Sequence, residues 1–241
     1  MKKIQLVDFL LVLFAVIFVV SFPFNLFIKD DITLIYAEFS FKLLFIFVVL
    51  YYIKPLFKDT YKKKASLSDL VLLPFILISF SNIVVAILQN SKFTFSFSES
   101  FILELILLLV SVFIEEYIFR YLSFKMLYQF KPLNRIIISS LIFGLMHFLN
   151  FLSTFDPQSL IQVAYTVGLG LILGFIFEFT NNNFLYVFMF HVMFNFFNDF
   201  IITRVTIVKF DSIFLTISLS FAGFFIIYGL LSYINIRKLE K

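Results

Sequence analysis

The chain has 241 residues, of which 62% are hydrophobic and 14% are charged, and its mean hydropathy is +1.05. A soluble domain carries about 25% charged residues, so this composition excludes an ordinary soluble fold and predicts a polytopic membrane protein. The formal net charge is +4, but the basic residues lie in short loops, which is typical of membrane proteins and does not indicate nucleic-acid binding. There is no cysteine, which excludes disulfides, thiolate metal ligands and a cysteine nucleophile.

Apolar stretches of about 18 to 25 residues recur along the chain, and each can cross the roughly 30 Å hydrocarbon layer as a helix. The sequence therefore predicts an all-α fold, a transmembrane bundle of about eight helices. The first stretch is interpreted as a retained span, because it is too long for a signal peptide and no small-residue cleavage site follows. The predicted spans are 6–28, 32–53, 67–88, 99–127, 136–152, 159–180, 184–202 and 212–234.

Basic residues cluster at both ends of the chain and in the connections that follow the second and fourth spans. If successive spans alternate in direction, these clusters share one side of the membrane, which the positive-inside rule identifies as cytoplasmic. We therefore expect a multi-pass protein of the cell membrane with cytoplasmic N- and C-termini.

Two patterns indicate packing and not chemistry. Glu38 and Lys42 stand four positions apart in the second span, so they can neutralise each other near its outer end. Gly170 and Gly174 form a GxxxG pattern in the sixth span, which predicts close contact with a neighbouring helix.

The fourth span contains the segment "LLLVSVFIEEYIFRYLSF", in which two glutamates and an arginine interrupt an apolar helix. An ionised side chain that faces lipid costs several kcal/mol, about 2.5–3.5 at the bilayer centre, so these groups are expected to face protein. On a regular helix Glu116 and Arg120 share a face, while Glu115 points about a quarter-turn away. Arg120 can therefore neutralise Glu116 and leave Glu115 free.

Both histidines of the chain lie in predicted spans, His147 in the fifth and His191 in the seventh. Asn195 and Asn198 follow His191 at helical spacing, which predicts a polar stripe that faces protein. With a rise of 1.5 Å per residue, Glu115, His147 and His191 lie roughly 15, 18 and 12 Å from the assumed cytoplasmic ends of their helices. The sequence thus predicts that three helices bring polar groups to a similar depth and form a site.

These residue types allow a hydrolase. A carboxylate beside an imidazole can hold and deprotonate a water molecule, and an amide with a second imidazole can donate to the oxyanion formed at a peptide carbonyl. Glu115, His147 and His191 could instead bind zinc, because two imidazoles and one carboxylate with an open position are a known catalytic set. There is no H-E-x-x-H motif.

Three ordered motifs resemble a known family. They are "EEYIFR" at 115–120, "FGLMH" at 143–147 and "HVMFN" at 191–195, which read as EExxxR, FxxxH and HxxxN. In this order on successive spans they resemble the CPBP family of intramembrane proteases, which includes CAAX prenyl endopeptidases and bacterial abortive-infection and bacteriocin-immunity proteins. The resemblance covers residues from about 100 to 202. It divides the chain into N-terminal helices at 1–98, a CPBP-like core at 99–202 and a last helix with a basic tail at 203–241.

The resemblance implies that Glu115 is the general base and that His147 helps to hold the water. His191 and Asn195 would stabilise the oxyanion. The groups that would support the site are Glu116, Arg120 and Asn198. It also implies a water activated by glutamate without a metal, so no cofactor is expected, with a zinc-dependent protease as the alternative.

The expected partner is a peptide or protein substrate in or at the bilayer, with a role in peptide processing or bacteriocin self-immunity by analogy. The alternatives are a non-catalytic membrane protein that binds a peptide toxin, and a transporter. A transporter is disfavoured because broken helices and repeat symmetry are not evident.

Overall fold

The computed structural model describes residues 24, 27–52, 76, 79–80, 83–84, 87, 100–154, 157–197 and 229. Within these residues every regular element is helical, so the predicted all-α class is confirmed for the described part of the chain. The helices are α1 (Asp31–Tyr52), α2 (Phe101–Glu116), a π-helical segment (Tyr117–Leu122), α3 (Ser123–Met126), α4 (Pro132–Thr154), α5 (Pro157–Phe179) and α6 (Phe184–Asn195).

Five of the predicted spans overlap these helices within the described residues, namely 32–53, 99–127, 136–152, 159–180 and 184–202. The other three, 6–28, 67–88 and 212–234, lie almost wholly outside the described residues, so the total of about eight helices stays a prediction. Among the described residues, one stretch, Gln162–Phe179 in α5, is long and apolar enough to cross a membrane. Shorter apolar helical stretches are Pro132–Phe148 and Phe184–Asn195.

Helix α1 begins at a side-chain cap. The Asp30 carboxylate accepts hydrogen bonds from the backbone N–H of Thr33 at 2.8 Å and from its hydroxyl at 2.5 Å. These bonds satisfy one of the free N–H groups of the first turn, and they hold the pKa of the Asp30 carboxyl below its usual range.

The fourth predicted span is a continuous helix, but it is not regular throughout. It changes from α to π at Tyr117, directly after the two glutamates. The Ser123 hydroxyl donates to the Ile118 carbonyl at 2.9 Å, and the Ser139 hydroxyl of α4 donates to the Phe119 carbonyl. Both hydroxyls thus donate hydrogen bonds to backbone carbonyls of the π segment. Short π-helical segments are frequent at functional sites.

Helices α4 and α5 pack most closely, and glycines permit it. A Cβ at Gly170 would lie 3.0 Å from the Cα of Ser140, and a Cβ at Gly174 would lie 3.1 Å from Cγ2 of Ile136. The close packing predicted from the GxxxG pattern is therefore confirmed. At one end of the pair, Arg135 of α4 donates to Glu178 of α5 at 2.8 Å.

The core lies between the π segment, α4, α5 and α6. It is apolar and rich in aromatic rings, such as Phe119 and Phe143, whose centroids are 5.2 Å apart in an edge-to-face arrangement. This core surrounds Glu116 of α2 and Arg120 of the π segment, which are fully buried, so their environment is protein.

Candidate active site

The glutamate–arginine pair of the fourth span is buried in the core. Arg120 Nε lies 3.4 Å from Glu116 Oε2, and neither side chain is exposed. The pairing predicted from the spacing of four residues is therefore confirmed. The guanidinium also lies over the Phe143 ring, with Cζ 4.8 Å from the ring centroid, which is within range of a cation–π interaction.

Glu116 has a second partner that the sequence did not predict. Its Oε1 lies 2.7 Å from His191 Nδ1, across 75 positions of sequence. A carboxylate can only accept, so the hydrogen lies on Nδ1 of His191. Glu116 therefore connects α2 to α6 and sets the orientation of the imidazole, which is 2% exposed.

Glu115 approaches the same imidazole from the other side. Its Oε2 lies 3.7 Å from His191 Nε2, and the side chain is 15% exposed, in contrast to the fully buried Glu116. This distance is too long for a direct hydrogen bond. The two adjacent glutamates thus differ in role. Glu116 holds the His191 ring at Nδ1, whereas the partly exposed Glu115 faces Nε2.

His147 lies in the middle of α4 and is half-buried. Its Nδ1 donates to the Phe143 carbonyl at 3.1 Å, and its Nε2 has no hydrogen-bond partner among the residues that the structure describes. The His147 ring centroid is 5.0 Å from that of Phe143, and the His191 centroid is 5.8 Å from the same ring. The centroids of the two imidazole rings are therefore no further apart than the sum of these two distances.

Asn195 is the last residue of α6 and is half-buried. It follows His191 by four positions, so the two side chains share a face of the helix. Asn198, the third member of the predicted stripe, lies outside the described residues.

Sequence reasoning missed the role of Phe143. This ring is 1% exposed and contacts both imidazoles and the Arg120 guanidinium. Its spacing of four residues from His147 was visible in the FxxxH motif, but its contact with His191 depends on how α4 and α6 pack. The sequence also did not reveal that Lys42 of α1 donates to Ser111 of α2 at 3.1 Å.

The zinc alternative requires three ligands around one point. Among the residues that the structure describes, no group of three or more histidine, aspartate or glutamate side chains is arranged to hold a metal ion. The structure brings Glu115 and His191 together, but among the described residues Nε2 of His147 does not join them in a set of three metal ligands.

The comparison with protein families agrees with the motif order. Residues 97–197 match the family model described as type II CAAX prenyl endopeptidase Rce1-like. No curated protein and no solved structure matched the chain. The matched region contains all the residues named above in this subsection except Lys42 and Asn198. The resemblance to the CPBP proteases is confirmed, and residues 97–197 carry an Rce1-like domain, the domain of a family of membrane proteases.

Proposed function

We propose that this protein is an intramembrane endopeptidase that hydrolyses a peptide bond with a water molecule activated by Glu115. One observation carries the proposal. Glu115 Oε2 and His191 Nε2 face each other at 3.7 Å, while the opposite nitrogen of the ring is held by Glu116 at 2.7 Å. A general base needs to be within hydrogen-bond reach of the water it deprotonates, and a water beside this pair would be within reach of both groups.

The chemical step follows from the donors and acceptors in the site. The Glu115 carboxylate takes a proton from water as the oxygen attacks the carbonyl carbon of the substrate. The carbonyl oxygen becomes an oxyanion, and the C–N bond then breaks as Glu115 returns the proton to the leaving nitrogen. Both carboxylate and amine products form without a covalent enzyme intermediate.

The oxyanion requires donors, and the geometry limits which groups can serve. The Nδ1 hydrogen of His191 is occupied by Glu116, so Nε2 donates only when the ring is an imidazolium. We assign the imidazolium of His191 and the carboxamide of Asn195 to the oxyanion.

The remaining polar groups position this machinery. His147 presents its free Nε2 to the water, because its Nδ1 is held by the Phe143 carbonyl. Arg120 balances the charge of Glu116, the carboxylate that orients His191.

The substrate that we propose is a protein or peptide in or at the membrane. The matched family model is described as type II CAAX prenyl endopeptidase Rce1-like. The family that the motifs resemble also includes bacteriocin-immunity proteins. Peptide processing or self-immunity is therefore the biological role that we propose for the cleavage.

Glu115→Gln tests the proposal. Glutamine keeps the size and most hydrogen bonds of glutamate but cannot take a proton from water, so cleavage should fall by about 10²–10⁴-fold. The matched control is Glu104→Gln, the same change on the same helix at a residue that accepts a hydrogen bond from Ser100. Membranes from cells that produce each variant at equal abundance are incubated in ¹⁸O-labelled water, and released peptides are identified by mass spectrometry.

Peptides with one ¹⁸O in a new C-terminal carboxylate should accumulate with wild type and with Glu104→Gln, and not with Glu115→Gln. Equal release by Glu115→Gln would remove Glu115 from the mechanism. The purified wild-type protein also decides the role of metal. Stoichiometric zinc, lost together with activity on chelation, would replace the metal-free step by the zinc-dependent alternative.

A further inference from the structure

The π segment begins directly after Glu115 and Glu116, and its form sets the direction in which they point. In a π-helix the backbone hydrogen bonds join residues five apart and not four, as the Ser123 N–H does when it donates to the Ile118 carbonyl. The segment thereby accommodates one extra residue, and one residue of an α-helix corresponds to a rotation of about 100°. In the α form, the two glutamates would therefore turn by about 100° relative to the residues that follow the segment. The π form is a condition for the contacts of both glutamates with His191.

Two serine hydroxyls donate to adjacent carbonyls of this segment, and they come from different helices. Ser123, which follows the segment in the same continuous helix, donates to the Ile118 carbonyl at 2.9 Å. Ser139 of α4 donates to the Phe119 carbonyl. Both serines are fully buried, in a core where protein and not water supplies the donors for backbone carbonyls. Of these two bonds, the one from Ser139 joins the π segment to a neighbouring helix.

The bond between Ser139 and Phe119 lies about one helical turn from the candidate site. Phe119 follows Glu115 by four residues, Ser139 precedes Phe143 by four, and four residues rise about 6 Å along an α-helix. Phe143 contacts both imidazoles, and His147 follows it on the same face of α4. A hydrogen bond at this point therefore fixes the rotation of the glutamates and the level of α4 against them.

The next residue of α4 shows what a buried serine in a helix ordinarily does. The Ser140 hydroxyl donates to the Ile136 carbonyl of its own helix at 2.6 Å, four residues back. A hydroxyl has one hydrogen, so Ser139 donates to the π segment in place of the Arg135 carbonyl, which lies four residues before it. The two adjacent serines are equally buried and differ in where their hydrogen bonds go.

We infer that Ser139 is a positioning residue for cleavage, whose hydroxyl holds the π segment in the form that places Glu115 and Glu116 at the two nitrogens of His191. The inference rests on the proposed function, because Ser139 acts on the reaction through Glu115 and His191. It acts through the backbone of the π segment and not by contact with the substrate.

The variants Ser139→Ala and Ser140→Ala are a matched pair for a kinetic test. Each removes one hydroxyl from a fully buried position of α4, but only Ser139→Ala removes the bond to the π segment. The substrate is a synthetic copy of a precursor whose ¹⁸O-labelled product wild type releases. We expect Ser139→Ala to lower kcat by about 10- to 100-fold with KM unchanged, because a shift of about 1 Å near reacting groups can cost about 100-fold in rate. Ser140→Ala should keep the kcat of wild type.

A second measurement requires no cleavage, because the chain has only two histidines. Solid-state NMR of protein labelled with ¹⁵N-histidine, in bilayers, reports both rings, and His147→Gln assigns their signals. The tautomer of His191 is set by its bond to Glu116, whereas the bond of His147 stays within α4. We expect Ser139→Ala to shift the ring signals of His191 and not those of His147. Ser140→Ala should shift neither set.

The two measurements separate this inference from the proposed function. Unchanged His191 signals in Ser139→Ala would overturn the inference, whatever the rate of cleavage. If wild type and Ser139→Ala cleave with equal kcat, the endopeptidase stands and the positioning role fails. If wild type releases no peptide but Ser139→Ala shifts the His191 signals, the endopeptidase fails, and the hold of Ser139 on the contact between Glu116 and His191 stands.

Discussion

At the residue scale, Glu116 has two tasks in this protein. Its Oε1 holds His191, and its Oε2 faces Arg120, so one buried carboxylate orients the imidazole and balances a cation. The guanidinium nitrogens have no hydrogen-bond partner among the described residues, and the guanidinium also lies over the Phe143 ring. The charge of Arg120 therefore matters more than its hydrogen bonds.

This predicts how the pair responds to substitution. Arg120→Met keeps an apolar side chain of similar length but leaves the buried Glu116 without its cation, which should lower the free energy of unfolding by about 3–5 kcal/mol. The combined variant Glu116→Gln/Arg120→Met removes both charges, while glutamine can still accept from His191, so most of the stability should return. Thermal unfolding in detergent checks both variants.

If the combined variant is as unstable as Arg120→Met, the packing of the guanidinium on Phe143, and not its charge, is what stabilises the core. Normal stability of Arg120→Met alone would show that the ion pair is dispensable for folding.

At the scale of elements, α4 determines where His147 lies. Ser139, Phe143 and His147 follow each other at intervals of four, so one face of α4 contacts the π segment and carries the imidazole. The opposite contact, with α5, depends on small residues. A Cβ at Gly144 would lie 2.2 Å from Cγ2 of Val167 and 3.3 Å from the Val163 carbonyl oxygen.

Gly144→Ala should therefore separate α4 from α5 and move His147. Overpacking of this kind costs about 1–3 kcal/mol, which corresponds to a fall in melting temperature of roughly 2–12 °C. Adding Val167→Ala removes the closest clash, so the double variant should recover most of the stability and of the cleavage activity. No recovery would mean that the Val163 carbonyl, and not the valine side chain, limits the approach of the helices.

At the scale of the whole molecule, the order of contacts gives the relative direction of two helices. Lys42 contacts Ser111 of α2, while Phe45 and Ile46 pack near Ile114 of α2 and Ile118 of the π segment, which continues the same helix. Positions on both helices increase together, so α1 and α2 run parallel. Alternating spans require this relation, because α1 and α2 belong to the second and fourth predicted spans.

The chain contains no cysteine, so a single introduced cysteine reports the topology without labelling of any native cysteine. We expect Gln129→Cys, in the connection between α3 and α4, to react with a membrane-impermeant maleimide only after intact cells are opened. Lys29→Cys, before α1, should react on intact cells. Both positions are exposed in the structure. Labelling of Gln129→Cys on intact cells would reverse the predicted orientation, and labelling of both would contradict the multi-pass arrangement.

Several features of this protein follow from the sequence by itself. Composition predicted the helical class, and helix geometry predicted the pairs Glu116–Arg120 and Glu38–Lys42, because residues four apart on one helix are neighbours whatever surrounds them. The ordered motifs also predicted the family of the central region. The division of the chain at 99 and 202 and the catalytic roles stay predictions.

Only the tertiary structure decided which helix faces meet. The contacts Glu116–His191 and Lys42–Ser111 join residues 75 and 69 positions apart. Periodicity shows which side of a helix is polar, but not how far the helix is rotated or shifted against its neighbours. Those quantities are set by packing, such as the glycine contacts of α4 and α5 and the hydroxyl that Ser139 of α4 contributes to the π segment. For this reason the sequence left Glu116 with one partner, and the fold added His191 as its second.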